Sequence, residues 1–156
     1  KKLGVTTIYT DEGIVITKNL EPERIFSFDF SGSPDIVPSV LTTCAALGIE
    51  SEFRNIGHLE HKESNRIHAL RKELIKIGAI ITQRGDDLML MSSIKLSDKI
   101  NFNTHKDHRM AMALAPLAIK FSEITIDDPY VVNKSYPEYW DEIKKLNFAY
   151  LKLTTD

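Results

Sequence analysis

Cysteine is almost missing from this chain. Cys44 stands alone, which excludes an internal disulfide and any metal site built from several thiolates. That usage fits a reducing cytoplasm. Long apolar runs are missing too: none reaches the roughly 20 residues of a membrane span. Nor is there an excess of one charge, since 20 Lys and Arg face 22 Asp and Glu for a net of -2. A nucleic-acid-binding or polybasic membrane surface is therefore not expected. Nothing at the start reads as a signal peptide. The chain opens on Lys1-Lys2 without Met, as a piece cut from something longer would.

What is present suits one ordinary soluble domain. There are 156 residues, 42% hydrophobic and 27% charged, enough for a core of its own. The balance of charge leaves room for local clusters of Lys, Arg and His that bind a small anion.

The stretch from Asp107 to Ala115 stands out. Asp107-His108-Arg109 leads directly into Met-Ala-Met-Ala-Leu-Ala. A helix apolar all round belongs inside a protein. Its start then points unpaired N–H groups outward, which suits an anion, and Arg109 adds a planar fork for carboxylate or phosphate. The plainer reading makes Asp107 an N-cap and Arg109 a surface charge.

Elsewhere the order of elements is readable. Thr6–Thr10 and Ile14–Thr17 are β-branched runs around the turn Asp11-Glu12-Gly13, a hairpin. Ile25–Phe30 alternates after its first residue, with Phe26, Phe28 and Phe30 on one face. Ser33-Pro34-Asp35 opens a helix, with Ser33 as N-cap and Asp35 in the first turn. Pro38 sits near the end of that turn. Val40, Leu41, Cys44 and Leu47 make its stripe and Gly48 its stop. Glu52–Ile56 reads as a strand and Gly57-His58 as a turn.

The clearest helix follows, with Ile67, Leu70, Leu74 and Ile77 on one face and Gly78 closing it. His58, Glu60, His61, Lys62, Glu63 and Arg66 crowd its start. Lys62 and Arg66 share a face if the helix has begun by then, and repel unless an anion lies between them. A solvated helix start is the alternative. His58, His61 and Glu63 have the chemistry of metal ligands, but the two adjacent cations oppose a metal.

Ala79–Gln83 and Leu88–Met91 flank Arg84-Gly85-Asp86-Asp87 as a second hairpin. Met89 and Met91 read as core packing. A short strand at 101–105 leads into the helix at Asp107, which Pro116 is placed to kink. Glu123–Asp127 is a strand. Ser135-Tyr136-Pro137-Glu138 reads as a capping box for a helix carrying Tyr139, Trp140, Ile143 and Leu146. Phe148–Leu153 reads as a last strand. Lys134, just before the capping box, is by itself a solvated lysine. The order hairpin, then strand–helix–strand–helix–hairpin, then strand–helix–strand–helix–strand repeats one block about twice. Equivalent helices of such repeats point alike, so the charged starts would converge on one anion-binding surface.

Four blocks carry a specific likeness: Pro34-Asp35, Lys62-Glu63-Ser64-Asn65-Arg66, Asp107-His108-Arg109-Met110-Ala111-Met112 and Lys134-Ser135-Tyr136-Pro137. In order and approximate spacing they resemble 5-enolpyruvylshikimate-3-phosphate synthases, over nearly the whole chain. The resemblance implies an α/β (α+β) fold of repeated βαβαββ units, an enolpyruvyl transferase inside-out barrel domain with about two of three repeats present. Residues 1–156 would be part of the C-terminal domain of a two-domain protein whose N-terminal domain is missing.

It also implies transfer of the enolpyruvyl group of phosphoenolpyruvate to the 5-hydroxyl of shikimate 3-phosphate, with release of phosphate and with no metal or cofactor. By resemblance Asp35 handles the proton of the attacking hydroxyl, and Lys62 and Glu63 move a proton at the enolpyruvyl methylene. Arg66, Arg109 and Lys134 hold phosphoenolpyruvate, with His108 in the same block. His58 and Lys62 lie near shikimate 3-phosphate. The chemistry accounts for these residue types. Phosphoenolpyruvate carries two anionic groups, its methylene needs a general acid, and the departing phosphate needs positive charge.

Asn65 replaces the usual Asp, and Ser31-Gly32 and Pro38 depart from the commoner pattern around Asp35. A fragment of this size is expected to be inactive alone. The alternatives are the sister transferase acting on UDP-N-acetylglucosamine, against which the Asp107–Met112 block argues, and a non-catalytic anion-binding module.

Overall fold

The computed structural model describes residues 1–62, 64–92, 94–95, 99–121 and 123–149. The predicted first hairpin forms as β1 (Val5–Thr10) and β2 (Gly13–Lys18), paired antiparallel. Then comes a full βαβαββ unit: β3 (Ile25–Asp29), α1 (Val37–Leu47), β4 (Glu50–Arg54), α2 (Arg66–Leu74), β5 (Ala79–Arg84) and β6 (Asp87–Ser92). Its sheet order is β3-β4-β6-β5, with β3 and β4 parallel and the rest antiparallel. A second unit repeats the start of the first: β7 (Ile100–Phe102), α3 (His108–Leu114), β8 (Ile124–Ile126) and α4 (Tyr139–Lys145), with β7 and β8 again parallel.

Helices α1, α2 and α3 pack against one another, and the larger sheet lies outside them. Its inner face carries Phe26, Phe53, Ile81, Leu88 and Leu90, all buried with Leu41, Leu70, Leu74, Met110 and Leu114 from the helices. Period-2 alternation turns the other side chains outward. Met89 and Met91 fall on that outer face and are exposed, so they are not the core packing expected of them. Phe28 keeps the inner phase, stacking with Phe26 and edge-on to Phe30, yet is 42% exposed because β3 is the sheet's edge strand.

Several helix boundaries differ from the sequence reading. Pro34–Ile36 forms a 3-10 turn in which the Ser33 side chain makes no capping bond, and α1 begins only at Val37. Pro38 lies in the first turn of α1, where its missing N–H costs nothing. Pro116 does not kink α3. The α-helix ends at Leu114 and a 3-10 segment, Ala115–Ile119, continues the chain. The capping box at Ser135 is also not formed. A 3-10 turn over Pro129–Lys134 ends just before Ser135, α4 begins only at Tyr139, and Glu138 holds its N-cap position without a side-chain bond. Leu47 and Leu146 are exposed, so neither belongs to its helix's buried stripe. Gly48 closes α1 as read, whereas α2 ends at Leu74 and Gly78 closes the 3-10 segment Ile75–Ile77 that continues it, both glycines in the left-handed conformation.

Phe148 and Ala149 lie outside any strand, and the remainder of the strand expected over 148–153 falls outside the described residues. Among the described residues no helix is long and apolar enough to cross a membrane.

In each unit an amide–carboxylate pair ties the ends of the two parallel strands together. Asn55 Nδ2 donates to Asp29 Oδ2 at 2.9 Å in the first, and Asn103 Nδ2 donates to Asp127 Oδ2 in the second. These pairs fix the strand ends from which the loops leading to α1 and α3 depart. Loops at the carboxyl ends of parallel strands are where α/β proteins place their ligands.

Candidate anion site at converging helix starts

Asp35 is the meeting point. It rides on the 3-10 turn between β3 and α1, and its side chain is 47% exposed. Arg66 Nη1 lies 3.3 Å from Asp35 Oδ1 and Lys62 Nζ 3.9 Å from the same oxygen. Arg109 Nη2 reaches Asp35 Oδ2 at 2.9 Å, and Arg109 Nη1 donates to the Asp35 carbonyl at 3.4 Å. Three cations from separate segments therefore surround one carboxylate.

Arg66 is the deepest of them, 1% exposed as the first residue of α2. A guanidinium stays charged in any protein environment, so its burial demands a partner. Asp107, fully buried, is that partner. Arg66 Nε donates to Asp107 Oδ2 at 2.7 Å and Arg66 Nη2 to Asp107 Oδ1 at 3.4 Å. Ser64 Oγ adds a bond to Asp107 Oδ2 at 3.1 Å. The same carboxylate caps α3, accepting from the Arg109 backbone N–H at 2.9 Å. The N-cap reading of Asp107 is correct but covers only part of its contacts. Arg109, 32% exposed and bonded to Asp35, is not a solvated surface charge.

Lys62 and Arg66 do not share a helix face. Lys62 is extended at the end of the 3-10 turn Gly57–His61, four residues before α2 begins. They meet at Asp35 Oδ1 nonetheless, and that carboxylate relieves their repulsion. Asn65 caps α2 by accepting from the His68 N–H at 2.9 Å, a bond that an Asp there would also make.

His108 also adjoins this cluster. His108 is buried as the first residue of α3, its Nδ1 3.8 Å from Asp107 Oδ1. His58 is exposed on the Gly57–His61 turn, and no described hydrogen bond or ion pair links it to Asp35. Lys134 is exposed at the end of the Pro129–Lys134 turn, which packs on α3. Two bonds from α4 hold that region: Trp140 Nε1 to the Pro129 carbonyl at 2.8 Å and Tyr139 Oη to the Met112 carbonyl at 3.0 Å. Glu63 lies outside the described residues. Beside the cluster opens a cavity of about 450 Å³ lined by Ser64 and by residues 103–106 and 127–128.

Charge and exposure together define what this surface can do. Lys62, Arg66 and Arg109 outnumber Asp35 and Asp107 by one charge. Lys62 and Arg109 are part-exposed and held in place by Asp35, with Arg66 locked behind them, so the two outer cations offer a small anion preorganised positive charge. The model for EPSP synthase (3-phosphoshikimate 1-carboxyvinyltransferase) matches residues 1–143. The chain belongs to the EPSP synthase family.

A 3-phosphoshikimate 1-carboxyvinyltransferase of Bacteroides fragilis is 39% identical over 95% of the chain. The chain spans 37% of that relative's length. Two solved structures share the fold. An EPSP synthase from Acinetobacter baumannii gives a TM-score of 0.64 at 19% identity, over 90% of this chain and 35% of that one. The enolpyruvyl transferase NikO from Streptomyces tendae gives 0.66 at 17%, over 94% and 33%. The repeated βαβαββ unit is thus that of an enolpyruvyl transferase of the EPSP synthase family, present here in part.

Reading the sequence alone did not single out the grip of Asp107 on Arg66, nor Ser64, nor the buried carboxylate Glu73 on α2. Glu73 did leave a signal. It falls three residues after Leu70 and four before Ile77, inside the apolar stripe rather than opposite it.

Proposed function

We propose that this chain forms part of the C-terminal domain of a two-domain cytoplasmic enzyme, and supplies much of that enzyme's phosphoenolpyruvate site. The enzyme transfers the enolpyruvyl group of phosphoenolpyruvate to the 5-hydroxyl of shikimate 3-phosphate and releases phosphate. The observation that carries this reading is the convergence of Lys62, Arg66 and Arg109 on Asp35, within 3.9 Å.

In this reading Arg66, Arg109 and Lys134 hold the carboxylate and phosphate of phosphoenolpyruvate, with His108 shaping the floor behind Arg109. The two guanidinium forks suit bidentate binding. Asp35 takes the proton of the attacking hydroxyl as the new C–O bond forms. Lys62 and Glu63 deliver a proton to the methylene carbon and remove it again when the tetrahedral adduct expels phosphate. The cations stabilise the leaving phosphate. Lys62, and His58 at its edge, face the shikimate 3-phosphate side. The remaining contacts to that acceptor come from the other domain, so the 156-residue chain alone is inactive.

The test is release of phosphate by the longer protein that carries this chain. Phosphoenolpyruvate with shikimate 3-phosphate should give turnover, and UDP-N-acetylglucosamine in its place should give none. Turnover on the sugar nucleotide, or on neither acceptor, would overturn the assignment. So would turnover by the 156-residue chain on its own.

A further inference from the structure

Helix α2 grips the loop before α3 at two points, and only one of them belongs to the anion site. Arg66 and Glu73 are seven residues apart, two turns along one face. Arg66 holds Asp107. Glu73, fully buried, accepts from the Asn103 N–H at 2.9 Å and bonds His105 Nε2 at 2.8 Å. Lys76, the third partner of Glu73, also donates to the Asn101 carbonyl at 2.7 Å. A buried carboxylate this well supplied with partners holds what it binds firmly.

The loop needs holding. His105 and Lys106, directly before Asp107, are both left-handed, at φ 53 and 58. Successive non-glycine residues in that region are strained and persist only where their surroundings over-determine them. Asp127 supplies a third grip by accepting from the Thr104 N–H at 2.6 Å.

We propose that Glu73 is a positioning residue for the anion site. By clamping residues 103–105 it enforces the strained step into Asp107. It thereby sets where the Asp107 carboxylate meets Arg66 and where α3 presents Arg109. Glu73 touches none of Asp35, Lys62, Arg66 or Arg109 among its described bonds, so its effect travels through the loop. The ligand it serves is the one given above, and the inference to that extent rests on the proposed function.

The test uses Glu73→Gln and His105→Asn in the full 156-residue chain, each compared with the unaltered chain. Gln keeps the volume of Glu73 and loses its charge. Asn tolerates the left-handed conformation of His105 but is too short to reach Glu73. Two nuclear magnetic resonance signals report the clamp without any ligand: the Arg66 Nε–H, bonded to Asp107, and the Arg109 backbone N–H, capped by it. Both should shift and exchange faster in each variant, while amides in the middle of α2 keep their protection. In the longer protein carrying either substitution, phosphoenolpyruvate should bind about tenfold more weakly, the scale on which supporting residues act at metal sites.

Unchanged reporters in the folded variants would overturn the proposal. If Glu73→Gln fails to fold, His105→Asn decides by the same two signals. If the longer protein without substitutions binds no phosphoenolpyruvate, the reading of the site fails, and the reporters still decide whether Glu73 positions Asp107.

Discussion

Arg66 and Asp107, 41 residues apart, form a buried two-bond ion pair with Nε to Oδ2 at 2.7 Å. Desolvation makes such a pair a weak source of net stability, but loss of one partner leaves a stranded charge. Asp107→Asn should therefore cost about 3–5 kcal/mol. Arg66→Met combined with Asp107→Leu should recover most of that, less about 1 kcal/mol for the lost cap of α3. Urea unfolding of the single and double variants reads the difference. A double variant no more stable than Asp107→Asn would show that the pair is a genuine net stabiliser.

Arg109 sits on the exposed side of the same arrangement, so its replacement should separate stability from binding. Arg109→Lys keeps the charge and loses the fork that spans the Asp35 carboxylate and carbonyl. At 32% exposure the stability change should stay under about 1 kcal/mol. The KM of the longer protein for phosphoenolpyruvate should rise at least about tenfold, because a point charge does not replace a planar donor pair. The paired measurements are a thermal melt and a phosphoenolpyruvate titration.

Glu73 predicts an acid limb of stability. Burial pushes its carboxyl up, but Lys76, the Asn103 N–H and His105 together outweigh this and hold it below its ordinary value of 4.5. A carboxyl with a lowered folded-state pKa binds its proton more readily when unfolded. Its contribution is therefore complete above about pH 4.5 and fades as pH falls further. Urea midpoints taken from pH 7 down to pH 3 should drop more steeply for the unaltered chain than for Glu73→Gln. Parallel curves would remove Glu73 from the acid response.

What the sequence made legible was local. The stripe Ile67, Leu70, Leu74, Ile77 with Gly78 marked its helix because period and stop signal agree within one segment. The turn Asp11-Glu12-Gly13 marked the first hairpin for the same reason. The repeat of strand and helix led to the expectation that Asp35, Lys62, Arg66, Arg109 and Lys134 would meet, and the first four of these do. The misreading at Ser33 comes from a proline that favours a 3-10 turn before the α-helix proper, and Ser135 stands three residues too early to cap α4, offsets of about a turn or less that local pattern does not resolve. Met89 and Met91 were misplaced because hydrophobicity does not say which face of a sheet is covered. The grip of Asp107 on Arg66 spans the repeats, and no spacing rule reaches across 41 residues.

Tyr139 supplies a prediction at the alkaline end. It stands at the start of α4, with its Oη donating to the Met112 carbonyl at 3.0 Å. Burial, with a smaller push from Tyr136, raises its phenol to about 12. A raised folded-state pKa means that the neutral form is preferred in the native chain. The resulting stability is fully present below the unfolded value near 10 and is lost as pH rises towards 12. Absorbance at the phenolate band should therefore show one tyrosine titrating late, and Tyr139→Phe should remove that step. The same variant leaves the Met112 carbonyl without its donor, costing about 1 kcal/mol at neutral pH. Because α4 braces the turn ending in Lys134, that loss should also loosen phosphoenolpyruvate binding in the longer protein. A Tyr139→Phe protein with unaltered affinity would show that the turn is held by Trp140 and its bond to the Pro129 carbonyl instead.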